Sequence, residues 1–222
     1  MAVLAIDTST VVAGTAVVRG GAVLSELTWA VPRSHSERIL PAVDEVVRMA
    51  GLSIRDISLV AVTLGPGSFT GLRIGISLAK GLAEGLNVRV AGVSTLHLLA
   101  MQSRLHRGLI IPVLCAQRGQ YYAALFEGDG KDVQRLLPDA VADPDEVLSW
   151  AAQAEREVLL TGEGAKELGS RSGLYVAPAE LRLPRAGLLG LLAESMQGAD
   201  PGQIAPNYVR SSSAKPRKGA DS

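Results

Sequence analysis

Three glycines and a proline crowd one short loop of this sequence, Gly65-Pro66-Gly67-Ser68-Phe69-Thr70-Gly71, and its flanks limit the folds open to the chain. Leu59 to Leu64, before it, is apolar but for Thr63 and reads as a buried strand. A helical run follows from about Thr70 to Gly85. Strand, glycine turn and helix in succession are the unit from which α/β layers are built. Glycines let a ligand approach the backbone, and the next helix N-terminus favours anions. A plain tight turn with Ser68 or Thr70 as cap accounts for the same residues. A Walker loop is excluded, because Leu72-Arg73 follows Gly71 instead of Lys-Ser/Thr. The dinucleotide fingerprint fits poorly. Three residues separate the last two glycines, and the next strand ends in Gly92-Val93-Ser94 rather than an acid.

Along the helix after the loop, Gly71, Gly75, Ala79 and Ala83 recur every four residues and form a ridge of small side chains, with Gly81 and Gly85 added. Each interior glycine costs about 1 kcal/mol relative to alanine, so close packing must offset it. The ridge either packs on the chain's own sheet or meets a second subunit. In the second case, Gly75→Leu or Ala79→Arg would abolish pairing and leave the monomer folded.

The rest of the pattern repeats the α/β theme. Val3 to Ile6 reads as a strand, and Val11 to Val18 and Ala22 to Trp29 as a hairpin across Arg19-Gly20-Gly21. A helix capped by Ser34 or Ser36 runs to about Ala50 and ends at Gly51. Its apolar stripe is Ile39, Leu40, Val43, Val46, Val47 and Ala50, and Pro41 lies early, where a missing N–H costs least. Val88 to Val93 is a strand, and Ser94 caps a helix through about Arg104. A second series has strands at Leu109 to Cys115, Tyr121 to Phe126 and Val158 to Thr161, and helices at Asp143 to Ala154 and Pro184 to Met196. The expectation is an α/β chain of two related lobes, 1–105 and 106–210, with mixed sheets flanked by helices. The polar tail, 211–222, is expected to stay disordered.

Composition removes several function classes. Lys+Arg and Asp+Glu are both 22, and a chain that grips nucleic acid alone usually shows a basic surplus. Arg210, Lys215, Arg217 and Lys218 give the tail a local basic character, which could add salt-sensitive attraction to RNA or be merely solvated. The single cysteine, Cys115, permits no internal disulfide, as in a reducing cytosol. No signal-peptide pattern or membrane-length apolar stretch is present, so a cytoplasmic protein is expected. His35, His97 and His106 have no ligand-like spacing, which disfavours a closed metal site. Asp7-Thr8-Ser9-Thr10 is either a phosphate-facing turn or one in which Asp7 bonds its own backbone. Arg118, in the Gln117-Arg118-Gly119 turn, is either an anion holder or an exposed turn residue.

Three segments together resemble the TsaB (YeaZ) family: Ile6-Asp7-Thr8-Ser9-Thr10, His35-Ser36-Glu37 before Leu40-Pro41, and Gly65-Pro66-Gly67-Ser68-Phe69-Thr70-Gly71-Leu72-Arg73-Ile74-Gly75. Weaker matches are Gly92-Val93-Ser94-Thr95-Leu96, Arg118-Gly119 with Tyr122, Thr161-Gly162-Glu163-Gly164 and Pro206-Asn207-Tyr208-Val209-Arg210. The resemblance implies an actin-like ATPase (ribonuclease H-like) fold and a subunit with no catalytic residue, metal or cofactor of its own. It implies binding to the catalytic subunit TsaD, and to a second copy when alone, through the first lobe's two helices. The residues would be His35, Ser36, Ile39, Leu40, Val43 and Val47 on one helix, and Gly71, Leu72, Ile74, Gly75, Leu78, Ala79 and Leu82 on the other. Asp7, Thr8 and Ser9 would face a nucleotide. The wider system would include the TsaE-type ATPase and TsaC, which supplies threonylcarbamoyl-adenylate. TsaD would transfer the group to adenosine 37 of tRNA, which this chain would meet only indirectly, away from any membrane. One departure is Cys115-Ala116-Gln117-Arg118, where the family often has an acid followed by Ala-Arg-Arg. The alternatives are an actin-superfamily phosphotransferase or ATPase using Asp7, and a metallopeptidase, which needs ligands that the sequence does not offer.

Overall fold

The computed structural model describes residues 1–30, 35–152 and 156–209, the side chains of 35–37 excepted. The expected disorder of 211–222 therefore lies outside the described residues. Two five-stranded sheets carry the chain. The first contains β1 (Ala2–Asp7), β2 (Val12–Arg19), β3 (Ala22–Ala30), β4 (Leu59–Gly65) and β5 (Arg89–Ser94), in the order β3-β2-β1-β4-β5. The second contains β6 (Arg107–Cys115), β7 (Tyr121–Asp129), β8 (Val133–Ala142), β9 (Val158–Thr161) and β10 (Tyr175–Val176), in the order β8-β7-β6-β9-β10. In each sheet the first three strands pair antiparallel and the last two join in parallel. One plan is thus used twice, and it is the actin-like ATPase fold.

The helices follow from burial. α1 (His35–Met49) and α2 (Phe69–Leu86) cover one face of the first sheet, where Leu4, Ile6 and Val17 meet Val43, Val46, Leu72 and Ile76. α3 (Thr95–Gln102) is apolar on nearly every side. Leu98 packs towards the first sheet, and Leu96, Leu99 and Ala100 towards the second. A helix apolar all round has to be buried, and α3 sits between the two sheets. Ser94 caps it by accepting from the His97 N–H at 3.2 Å. α4 (Pro144–Ala152) and α5 (Ala165–Ser172) cover the far face of the second sheet.

The last helix, α6 (Ala186–Ala193), departs from expectation. It lies against Val3, Ala5, Ala16 and Val18 of the first sheet, not in the second lobe. Glu26 of β3 holds its N-terminal end, accepting from Arg185 Nε at 3.1 Å, Arg185 Nη2 at 2.8 Å and the Gly187 N–H at 3.1 Å. Glu194 holds the other end, accepting from the Gly20 and Gly21 N–H groups at 2.7 Å each. The chain then stays on the first lobe: Ala199 bridges Val90, Lys80 Nζ donates to the Ile204 carbonyl at 3.2 Å, and the Asn207 N–H donates to Leu64 at 2.7 Å. The stretch from 186 to 207, expected in the second lobe, therefore completes the first. Asp139 of β8 joins the lobes, accepting from Ser94 Oγ at 2.8 Å and Asn207 Nδ2 at 2.9 Å and pairing with Arg135.

Candidate functional site

The glycine loop and the Asp7–Thr10 turn fold onto each other. The Ser68 N–H donates to the Ser9 carbonyl at 2.8 Å, and Ser68 Oγ accepts from the Gly71 N–H at 3.2 Å. Thr8 Oγ1 donates to the Gly71 carbonyl at 2.7 Å. A Cβ on Gly67 would run into the Ser9 carbonyl, one on Gly71 into the Thr8 carbonyl, and one on Gly75 into Thr8 Oγ1. The loop needs glycine for this backbone contact. Asp7 accepts from the Ser9 N–H at 3.2 Å, from Ser9 Oγ at 2.6 Å and from Thr63 Oγ1 at 2.6 Å. Asp7 and Thr8 are buried in these contacts, behind the wall of the cleft described next. Ser9 is buried too, but contributes to a cleft wall.

That cleft, about 460 Å³, opens between the lobes. Ser9, Thr10, Gly67, Ser68 and Phe69 line it from one side, and Cys115, Gln117, Tyr122 and Glu163 from the other. No Lys, Arg or His is among the described residues that line it, whereas phosphoryl transfer depends on cations or metal at the transferring group. Burial raises the Glu163 pKa, partly countered by the Cys115 N–H. Burial also pushes the Cys115 thiol up, helped by Glu163 and Glu167, which keeps it protonated and a poor nucleophile. Among the described residues, no group of three or more His, Cys, Asp or Glu side chains could hold a metal ion.

The expected partner-binding residues divide by exposure. On α1, Ile39, Val43 and Val47 belong to the core, whereas Leu40 is 54% exposed. The side chains of His35 and Ser36 lie outside the described residues. On α2, Gly71, Leu72, Gly75 and Ala79 are buried within the chain, and Ile74, Leu78 and Leu82 are half-buried. The small-residue ridge Gly71-Gly75-Ala79-Ala83 therefore faces the chain's own sheet. Its members are packed inside the chain, not on its surface.

A second small stripe lies on the outer side of α2. Ser77, Gly81 and Gly85 are exposed, and a Cβ on either glycine would have nothing within 4 Å. Among the described residues nothing packs on these two glycines, and Gly81, inside the helix, costs it about 1 kcal/mol relative to alanine. Beside the stripe, Leu40, Pro41, Leu52, Ile54 and Leu82 wall an apolar groove of about 670 Å³, with Val43 and Val47 beneath and Asp44 and Arg48 at its edge. Sequence reasoning missed a third feature at the start of α2. The Phe69 and Tyr208 rings have centroids 5.6 Å apart, Arg73 lies 3.9 Å over Phe69, and Arg73 Nε donates to Tyr208 Oη at 3.1 Å. Its signal was an aromatic residue in a loop otherwise made of small residues.

Comparison with known proteins agrees with this architecture. Residues 27–186 match the family model of TsaD, tRNA N6-adenosine threonylcarbamoyltransferase. The chain is 32% identical to the tRNA threonylcarbamoyladenosine biosynthesis protein TsaB of Bacillus subtilis, over 97% of this chain and 96% of that one. It is 35% identical to the Escherichia coli protein of the same name, over 84% and 83%. The solved structure of YeaZ from Pseudomonas aeruginosa superposes with a TM-score of 0.81 at 28% identity, covering 94% of this chain and 99% of that one.

Proposed function

Because the chain belongs to the TsaB family of tRNA threonylcarbamoyladenosine biosynthesis proteins, we propose that it is the non-catalytic subunit that binds and activates a TsaD-type transferase. Its place in this biosynthesis follows from the family. The binding role rests on one observation above others: the outer stripe of α2, Ser77-Gly81-Gly85, exposes two helical glycines, one of them inside the helix and one in its last turn, against which no described residue packs. Small residues let a second helix approach closely, and dispersion contacts along that line repay the lost helix propensity. The groove beside it, walled by Leu40, Leu52, Ile54 and Leu82, supplies apolar area for the same contact.

The partner is the TsaD-type subunit, with the TsaE-type ATPase joining the larger assembly in the cytoplasm. Alone, the chain pairs with a second copy through the same face, so homodimer and heterodimer compete. The absence of chemistry of its own is supported by Asp7, held by Ser9 and Thr63, and by a cleft lined without cations among the described residues.

Light scattering after size exclusion tests this directly, on the chain alone and mixed with the TsaD-type protein of the same organism. A new species of one-to-one mass is expected in the mixture. Two independent peaks at micromolar concentration would remove the scaffold reading.

A further inference from the structure

The Gly162-Glu163-Gly164 turn follows β9 and takes no part in the proposed partner face. Its backbone is fixed from two sides. Gly162 has a φ of +98°, and a Cβ there would run into the Val113 carbonyl. A Cβ on Gly164 would meet the Tyr121 ring at 2.6 Å, and the Gly164 N–H donates to the Val113 carbonyl at 3.2 Å. Glu163, between the two glycines, is thereby drawn against β6, where its carboxylate accepts from the Cys115 N–H.

The turn therefore presents a half-buried carboxylate on the wall of the cleft between the lobes. Among the described residues lining that cleft, Glu163 is the only charged side chain, and it forms no ion pair with any described residue. Burial raises its pKa, and what opposes the rise is the Cys115 N–H, not a cation. Phe69 and Tyr122 bring aromatic rings to the same cleft, Val11 an apolar side chain, and Ser68 and Gln117 neutral hydrogen-bonding groups. A partly desolvated carboxylate without a counter-ion is costly, and a positive ligand relieves that cost. An ammonium group has three donors and no acceptor, and aromatic rings attract it further. The cleft's volume of about 460 Å³ lies within the range of small-molecule sites.

We propose that this cleft binds a small organic ammonium ion, with the charge on Glu163 and an apolar or aromatic body against Phe69, Tyr122 and Val11. Anions are rejected by the same carboxylate. The site goes beyond the scaffold reading and does not depend on it, because the cleft shares no lining residue with the α1–α2 groove. Val11 and Phe69 belong to the first lobe and Tyr122 and Glu163 to the second, so an occupant ties the two lobes together.

The test is titration of the isotope-labelled chain, followed by two-dimensional NMR, with three probes of similar shape: phenethylammonium, phenethyl alcohol and phenylacetate. The ammonium should shift the amides of Ser68, Cys115, Gln117 and Gly164 and raise the Tm, since it binds the folded chain alone. The alcohol should bind more weakly and phenylacetate not at all. Glu163→Gln keeps an acceptor for the Cys115 N–H and should raise the Kd of the ammonium on the order of ten-fold, leaving the alcohol unaffected. Gln117→Lys, at an exposed position, should weaken the ammonium as well, by placing a cation in the cleft. Silence of the ammonium, equal or tighter binding of phenylacetate, or wild-type affinity in Glu163→Gln overturns the proposal. So does displacement of the ammonium by the TsaD-type protein, because the cleft would then take a cationic side chain of the partner. The outcome is read on the chain alone and is separate from whether the two proteins pair.

Discussion

At the scale of single residues, two glycines of α2, Gly75 and Gly81, have opposite duties. Gly75 is where the helix touches Thr8 Oγ1, so Gly75→Leu should disrupt the β1–α2 contact and destabilise the monomer by about 3 kcal/mol or more. Gly81 faces open space, so Gly81→Leu should leave urea unfolding unchanged or stabilise it by up to about 1 kcal/mol. The same variant should abolish the one-to-one species in light scattering. The sequence revealed that this helix carries closely packed small residues but left open whether their ridge packs inside the chain. A repeat of four produces two small stripes. The residues between them identify the inner one: Leu72 and Ile76 accompany the buried stripe, whereas Arg73, Lys80 and Glu84 flank the exposed one. The Asp7 turn was legible as a turn that bonds itself. That its bonds extend to Thr63 was not, because β4 meets β1 only through a parallel crossover.

Among whole elements, α6 and β8 show how far patterning carries. α6 was visible as a late apolar helix, but its sheet was not. Its Ala-Gly-Leu-Leu-Gly-Leu-Leu-Ala run suits any apolar surface, and the choice is made by Glu26 and Glu194 at its ends. β8 escaped notice because Val133–Ala142 is an edge strand with exposed Gln134, Arg135 and Leu136 and with Pro138 inside it. No period of two survives there. The α6 dock has a pH signature. Burial raises the Glu26 pKa, but hydrogen bonds from Arg185 and the Gly187 N–H, with the Arg185 charge, outweigh it and leave the value lowered. Its contribution to stability is therefore complete above the unfolded value, about pH 4.3, and disappears as pH falls through the folded one. Glu26→Gln should remove that part of the acid sensitivity in thermal melts. At neutral pH it should cost about 1 kcal/mol, because Arg185 is half exposed.

For the whole molecule, Asp139 fixes the relation between lobes, since one carboxylate binds Ser94 of the first lobe and Asn207 of the returning segment. Asp139→Ala should leave both sheets folded. It should cost about 1–3 kcal/mol through unpaired donors and speed amide exchange around 205–208. Hydrogen-exchange mass spectrometry would register the change as a local one.

The return of residues 186–207 to the first sheet also bears on how the chain is made. Synthesis runs from the N-terminus, so β1 to β5 emerge long before α6 exists to cover Val3, Ala5, Ala16 and Val18. The half that leaves the ribosome first is thus the last to be finished, and the second lobe can close while the first still shows a bare apolar face to chaperones. A 1–105 fragment should accordingly appear in inclusion bodies, and co-expression of a 184–209 peptide should return part of it to the soluble fraction.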